Sequence, residues 1–167
     1  MNKQGTSMKR GSTFLLRGAI VIIAAIVLAI CAFALPAMWM AIAEEYPQHT
    51  YVFYSILIAF YVATLPFFYA LYQAMKLLNY VDTNKAFSMR AVKALRRIAG
   101  SAFSVSIIFI SSLPFFYTWA DIEDAPGLVL VGIFLVMAPF IVGVFAALLQ
   151  RVFCDAIDIK KENDLTV

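Results

Sequence analysis

Residues 125–150 read APGLVLVGIFLVMAPFIVGVFAALLQ, 26 residues in a row without a charge, bracketed by Asp124 and Arg151. At a rise of about 1.5 Å per residue such a stretch reaches about 39 Å as a helix, more than the roughly 30 Å hydrocarbon core of a bilayer. Lipid offers no partner for an open N–H or C=O, so an uncharged run of this length is read as a spanning helix. Moving outward, charges bracket three more such runs, at 18–43, 46–75 and 98–120. The spans are placed at about 18–43, 51–75, 98–120 and 127–150, leaving a basic loop at 76–97 and a tail at 151–167. The expected fold class is all-α: a polytopic membrane protein with four transmembrane helices in one bundle, a single domain covering 1–167. Apolar residues make up 63% of the chain and charged ones only 14%, against about 25% charged in a soluble domain. Four spans leave no room for a soluble catalytic or DNA-binding domain.

Charge placement orients the chain. The first segment holds Lys3, Lys9, Arg10 and Arg17; the middle loop holds Lys76, Lys85, Arg90, Lys93, Arg96 and Arg97; the tail holds Arg151, Lys160 and Lys161, which accounts for all 13 basic residues. The other two loops carry Glu44, Glu45, Asp121, Glu123 and Asp124 instead. The positive-inside rule puts both termini and the middle loop in the cytoplasm, in a multi-pass protein of the cell inner (plasma) membrane. The net charge of +3 averages a basic face with an acidic one. It reads as orientation and attraction to anionic lipid, without direct nucleic-acid binding. Met8 to Arg10 followed by Ala32-Phe33-Ala34 has the outline of a signal peptide. Apolar sequence continues past the usual 7–15 residues of such a signal to Ala43, so the first span is expected to stay.

Within the spans, aromatic pairs recur every seven residues: Phe53-Tyr54, Phe60-Tyr61 and Phe67-Phe68. Seven residues is two turns, so these rings share a face, either as a packing seam or as an aromatic cleft for a lipid or apolar ligand. Ala25, Ala29 and Ala32 in the first span, and Gly143 and Ala147 in the fourth, have the spacing of close helix approach. Each span holds a proline, Pro36, Pro66, Pro114 or Pro139, which frees a carbonyl four residues back and acts as a static shape or a moving hinge. Thr64, Ser111 and Ser112 are expected to re-satisfy some of those carbonyls, and the serines of the third span to bond helix to helix. Leu65-Pro66-Phe67-Phe68-Tyr69 recurs as Leu113-Pro114-Phe115-Phe116-Tyr117, a hint of duplication.

Chemistry-bearing patterns are sparse. One histidine, His49, makes no metal site, and Cys31 and Cys154 fall at opposite ends of the membrane. No Asp, Glu, Lys or Arg lies inside a span, although such residues usually mark proton relays and ion pathways. No catalytic residue, metal or cofactor is assigned, and an enzyme is not expected. Tyr61, Tyr69, Tyr72, Gln73 and Gln150 remain as a polar path for an uncharged substrate.

The basic face is the most individual surface. Ser88 is placed as an N-cap after a turn around Asp82-Thr83-Asn84, and a helix from Met89 into the third span would carry Arg90, Lys93, Arg96 and Arg97 on one stripe. Val92, Leu95 and Ile98 form another. Such a helix either lies on anionic headgroups or docks a protein. In the tail, Phe153 and Ile157 share a face ahead of Lys160 and Lys161. The tail's charges sum to +3 and −4, those from Lys76 to Arg97 to +6 and −1, so the two attract.

Asn84-Lys85-Ala86-Phe87-Ser88, Asp124-Ala125-Pro126-Gly127-Leu128, and the ending Ala156-Ile157-Asp158-Ile159-Lys160 through Glu162-Asn163-Asp164-Leu165-Thr166-Val167 carry a resemblance. From about Lys9 to Val167 the chain resembles the YoaS-like family of small bacterial membrane proteins, which is catalogued only as a domain of unknown function. What the resemblance implies is a four-helix inner-membrane protein often encoded beside a small helix-turn-helix regulator of the Cro type; it brings no catalytic residues. Two readings follow: a regulatory or sensory partner of a cytosolic helix-turn-helix transcription regulator, and a small transport or lipid-handling protein. Membrane lipids are expected partners in both, and a homo-oligomer is open, since four helices enclose little volume.

Overall fold

The computed structural model describes residues 4–83 and 88–165. The first span is α1 (Gln4–Ala29), a π-helical segment (Ile30–Ala34) and α2 (Leu35–Glu45), followed by a 3₁₀ turn (Pro47–His49). The rest is three long helices: α3 (Thr50–Asp82), α4 (Met89–Ile122) and α5 (Gly127–Leu165). Four stretches are long and apolar enough to cross a membrane: Thr13–Ile42, Pro47–Asp82, Met89–Ile122 and Gly127–Glu162. Many large apolar side chains, such as Phe14, Leu65, Leu130 and Phe134, lie exposed along them. Patches of that extent fit a lipid solvent.

Tertiary packing centres on α4, which lies between α3 and α5 and is the most buried of the four. One cluster joins Ala63 of α3, Val105 and Phe109 of α4, and Val136 of α5; a second joins Val52 and Ile56 with Phe116. The α4–α5 seam closes through glycine: a Cβ on Gly143 would sit 2.9 Å from the Phe103 ring, and one on Gly132 would sit 3.1 Å from Leu113 and Phe116. The first span stands apart, reaching the rest mainly through α3. The arrangement is a three-helix core with one outlying span.

Three expectations are corrected by this packing. Ala25, Ala29 and Ala32 are exposed instead of lying in a close helix contact, because the first span turns other positions to α3; Gly143 alone of the small residues named is fully buried in a seam. The span-three serines do not bond helix to helix. Ser101, Ser104, Ser106, Ser111 and Ser112 each donate to a carbonyl three or four residues back on α4 itself, the self-satisfaction open to a short hydroxyl among apolar neighbours. Nor do Thr64, Ser111 and Ser112 reach the carbonyls freed by proline; they bond Phe60, Ile108 and Phe109.

The effect of Pro36 is specific. Leu35 N–H reaches back five residues to Ile30 O, the π register, so Cys31 O loses its usual donor. The next residue in that register is Pro36, which has no N–H. Tyr61 Oη on α3 donates to this carbonyl at 2.9 Å. The polar partner therefore comes from the neighbouring helix, as proline-interrupted spans require.

The α4–α5 turn is a Schellman-type end: Ala125 N–H bonds Ala120 O at 2.9 Å, and Asp124 occupies the left-handed region at φ 51°. Aspartate tolerates that conformation better than most side chains. Pro126 then stops α4 from continuing, and α5 starts at Gly127.

Candidate functional site

At the basic end all four spans continue as helix beyond their uncharged runs, α1 from Gln4 and α3 to Asp82 among them. α4 begins nine residues before its uncharged stretch, at Met89, and α5 continues fifteen residues beyond Gln150, to Leu165. At about 1.5 Å per residue the extensions of α4 and α5, together called the stalk, run roughly 14 Å and 22 Å. Ser88, extended at φ −131° and ψ 153°, caps α4 by accepting Ala91 N–H at 3.4 Å. The residues Asn84 to Phe87, part of the expected turn and of the resemblance, lie outside the described ones.

The stalk is packed, not splayed on a surface. Ala91, Val92, Ala94 and Leu95 are buried on α4 and Ile157 is buried on α5, while Ile98 is half-buried. Arg90, Lys93, Arg96 and Arg97 point outward as one exposed stripe. A helix lying on headgroups would turn its apolar face to lipid; here that face is spent on protein. Lys160 and Lys161 are exposed near the far end of α5, where Lys161 stands 4.0 Å from Asp158 across one turn. A bridge so exposed contributes little. Of the other cations, Lys76 lies 4.4 Å over the Tyr72 ring.

Asp82, the one acidic residue between Lys76 and Arg97, is already engaged. Arg17 of α1 donates to Asp82 Oδ2 at 2.6 Å and to Asn79 Oδ1, pinning the first span to the end of α3. The loop's one carboxylate is thus matched by Arg17, and the expected attraction to the tail acids would rest on the loop cations.

The aromatic positions divide by face. Phe53 is buried and meets Trp119 edge-on at 5.5 Å; Phe60 meets Phe109 at 5.2 Å; Phe67 packs on the Ala63–Phe109 cluster and lies edge-on to Phe68 at 5.8 Å. Tyr54 and Tyr61 are exposed beside this seam. Leu35, Met38, Ile42, Phe53, Ile56, Leu57, Phe60 and Trp119 line an apolar cleft of about 20 Å³. That is room on the scale of a water, against the several hundred Å³ of a ligand pocket.

At the acidic end Tyr46 stacks obliquely on Phe53 at 6.2 Å. Its phenol is pushed above its ordinary pKa by desolvation, then by the charges of Glu123 and Glu45, and by its hydrogen bond to Glu123. The phenol donates to that carboxylate, tying the turn after α2 to the residue that ends α4. Among the described residues no group of three His, Cys, Asp or Glu converges on a metal-sized site.

Residues 37–167 match the profile of a protein family described as "Protein of unknown function (DUF2975)". The chain belongs to the DUF2975 family. It is similar to the "Uncharacterized membrane protein YoaS" of Bacillus subtilis (strain 168), with 46% identity over 160 residues, covering 96% of this chain and 100% of that protein. No solved structure matches. The DUF2975 match starts just after Pro36, so it takes in α2 to α5 and leaves α1 and the π segment outside.

In this DUF2975 protein, sequence reasoning missed the polar contacts of the first span: Arg17 with Asn79 and Asp82, Tyr61 with the Cys31 carbonyl, and Cys31 with Thr64. Two signals pointed to them. Asp82 is the lone acid of a basic segment, and Pro36 orphans a carbonyl nearby.

Proposed function

We propose that this protein sits in the bacterial inner membrane with both termini and the 76–97 segment in the cytoplasm. There the α4–α5 stalk is a docking platform for a small cytosolic helix-turn-helix regulator. The observation that carries this reading is the mounting of Arg90, Lys93, Arg96 and Arg97: exposed together, on a helix whose opposite face is buried in protein and which continues into the membrane core. Four cations on a rigid stalk suit an acidic protein surface, and opposite potentials speed and orient such encounters. A continuous helix also links the stripe to α4, the centre of the core. The helix-turn-helix partner is inferred from the gene neighbourhood that the family resemblance implies, by analogy. The alternative, handling of a lipid or apolar ligand, would draw on the small cleft at Phe53 and Phe60.

The test is binding of the regulator encoded beside this protein to the full-length chain in phosphatidylcholine nanodiscs, where no anionic headgroup competes. Reversing Arg90, Lys93 and Arg96 to Glu should weaken binding by about ten-fold or more. A chain ending before Lys160 should shift it by less. Unchanged binding in both variants, with membrane insertion intact, contradicts the reading.

A further inference from the structure

The first span is attached differently from the other three. Only 6% of its apolar window is buried, against 28% for the second span, 39% for the third and 11% for the fourth, so what sets it apart is its contacts more than its burial. It reaches the protein mainly through α3. Beside the apolar contact of Leu35, Met38 and Ile42 with Phe53 and Phe60, what joins it there is a series of discrete polar contacts. At the basic end Arg17 grips Asn79 and Asp82. Midway, Tyr61 Oη holds the Cys31 carbonyl at 2.9 Å. One turn along α3, Thr64 Oγ1 lies 3.5 Å from Cys31 Sγ. The Thr64 hydroxyl hydrogen is committed to Phe60 O, so the thiol is the donor. Each of these bonds crosses from the first span to α3.

We infer that the whole first span is a detachable arm, docked on α3 by these clasps and released by the loss of the Arg17–Asp82 pair. The core α3–α5 has seams of its own, ring against ring and glycine against ring, whose clusters include no residue of the first span; what the first span adds is the apolar contact of Leu35, Met38 and Ile42 with Phe53, Phe60 and Trp119. A lipid tail can take over the apolar contacts of α1 on leaving, because tails are as apolar as Leu or Ile, so the difference between docked and free rests on the polar contacts. Arg17 is the clasp that can be worked from outside the membrane. Its guanidinium and Asp82 are 39% and 30% exposed, and Asp82 closes α3. This inference does not rest on the regulator reading; the arm is docked or free whatever binds the stalk.

The native Cys31 provides the probe. Thr64→Cys in a Cys154→Ser background places two sulfurs across the clasp, and oxidation by copper phenanthroline in membranes traps the docked arm as an intrachain disulfide, read by mass after denaturation and alkylation. Arg17→Asp and, separately, Tyr61→Phe should each slow trapping by about three- to fifteen-fold, the range that interhelical polar contacts in bilayers span. The charge swap Arg17→Asp with Asp82→Arg should recover most of the rate. A cysteine pair at Phe103 and Gly143 in a chain lacking Cys31 and Cys154 should form its bond equally fast with and without Arg17→Asp, showing that the core stays packed. Equal trapping with and without the Arg17→Asp change overturns the inference. So does a fall that the swap leaves uncorrected, because Arg17 would then act through headgroups instead of Asp82, and so does a slowing of the Phe103–Gly143 pair.

Discussion

The α3–α4–α5 core and the first span solve one problem in two ways. Both are apolar helices in a solvent that supplies no hydrophobic drive between them. The core gains cohesion from shape: Phe60 edge-on to Phe109, Phe53 edge-on to Trp119, and Phe103 laid over the bare backbone of Gly143. Dispersion accumulates over many atom pairs and edge-to-face rings add about 0.5–1.5 kcal/mol each. The first span has little of this and uses a few directed bonds from Arg17, Cys31 and Tyr61. Packing is hard to switch, because it is lost only by separating whole faces; a directed bond is lost by changing one charge.

That contrast is open to breaking, starting with the largest effect. Phe60→Ala empties the centre of the α3–α4 seam. In a water-soluble core such a truncation costs about 3–5 kcal/mol. Lipid can fill part of the gap, so a loss of about 2 kcal/mol or more is expected here in SDS-induced unfolding from bicelles. Gly143→Val comes next: with a Cβ already 2.9 Å from the Phe103 ring, α4 and α5 must part, at about 1–3 kcal/mol. A Gly143→Val protein as stable as wild type would show that α4 and α5 are not held by close approach.

Tyr61→Phe removes one directed bond and leaves the Cys31 carbonyl without a donor. About 1 kcal/mol is at stake. The change should appear as faster amide exchange through 30–36 while α4 keeps its protection. Faster exchange in α4 as well would mean that the first span belongs to the core. The smallest effect is at the α4–α5 turn, where Asp124→Gly relieves a left-handed side chain and should add about 0.5 kcal/mol to global stability.

The four membrane-length helices were legible because the cost of charge in lipid makes every Lys, Arg, Asp and Glu a boundary marker, and the Ser88 cap because it combines a short hydroxyl with a helical run after it. The exposed stripe at Arg90, Lys93, Arg96 and Arg97 followed from helical periodicity. What stayed illegible depends on which faces meet. The triplet Ala25, Ala29 and Ala32 has the spacing of a tight interface yet faces outward, since spacing specifies a face and not its neighbour. Span-three hydroxyls had two outlets, a neighbouring helix or their own backbone, and only the depth of the apolar surroundings decided for the backbone. Arg17 and Asp82 are 65 residues apart, and their pairing needs the relative height of two helices that no local pattern encodes. Pro36 marked a weak point in the first span, but the shift to a five-residue register moved the orphaned carbonyl from Ala32 to Cys31.

The central claim is that the basic stripe is a rigid extension of a membrane-crossing core and faces the cytoplasm, opposite the acidic turns. It is tested most directly by single cysteines at Lys93 and at Asp121 in a chain whose Cys31 and Cys154 are replaced by Ala, exposed in intact cells to a membrane-impermeant maleimide. Rapid labelling is expected at Asp121→Cys in intact cells, and labelling at Lys93→Cys only after the membrane is permeabilised. Labelling of Lys93→Cys in intact cells, or protection of Asp121→Cys, contradicts the claim.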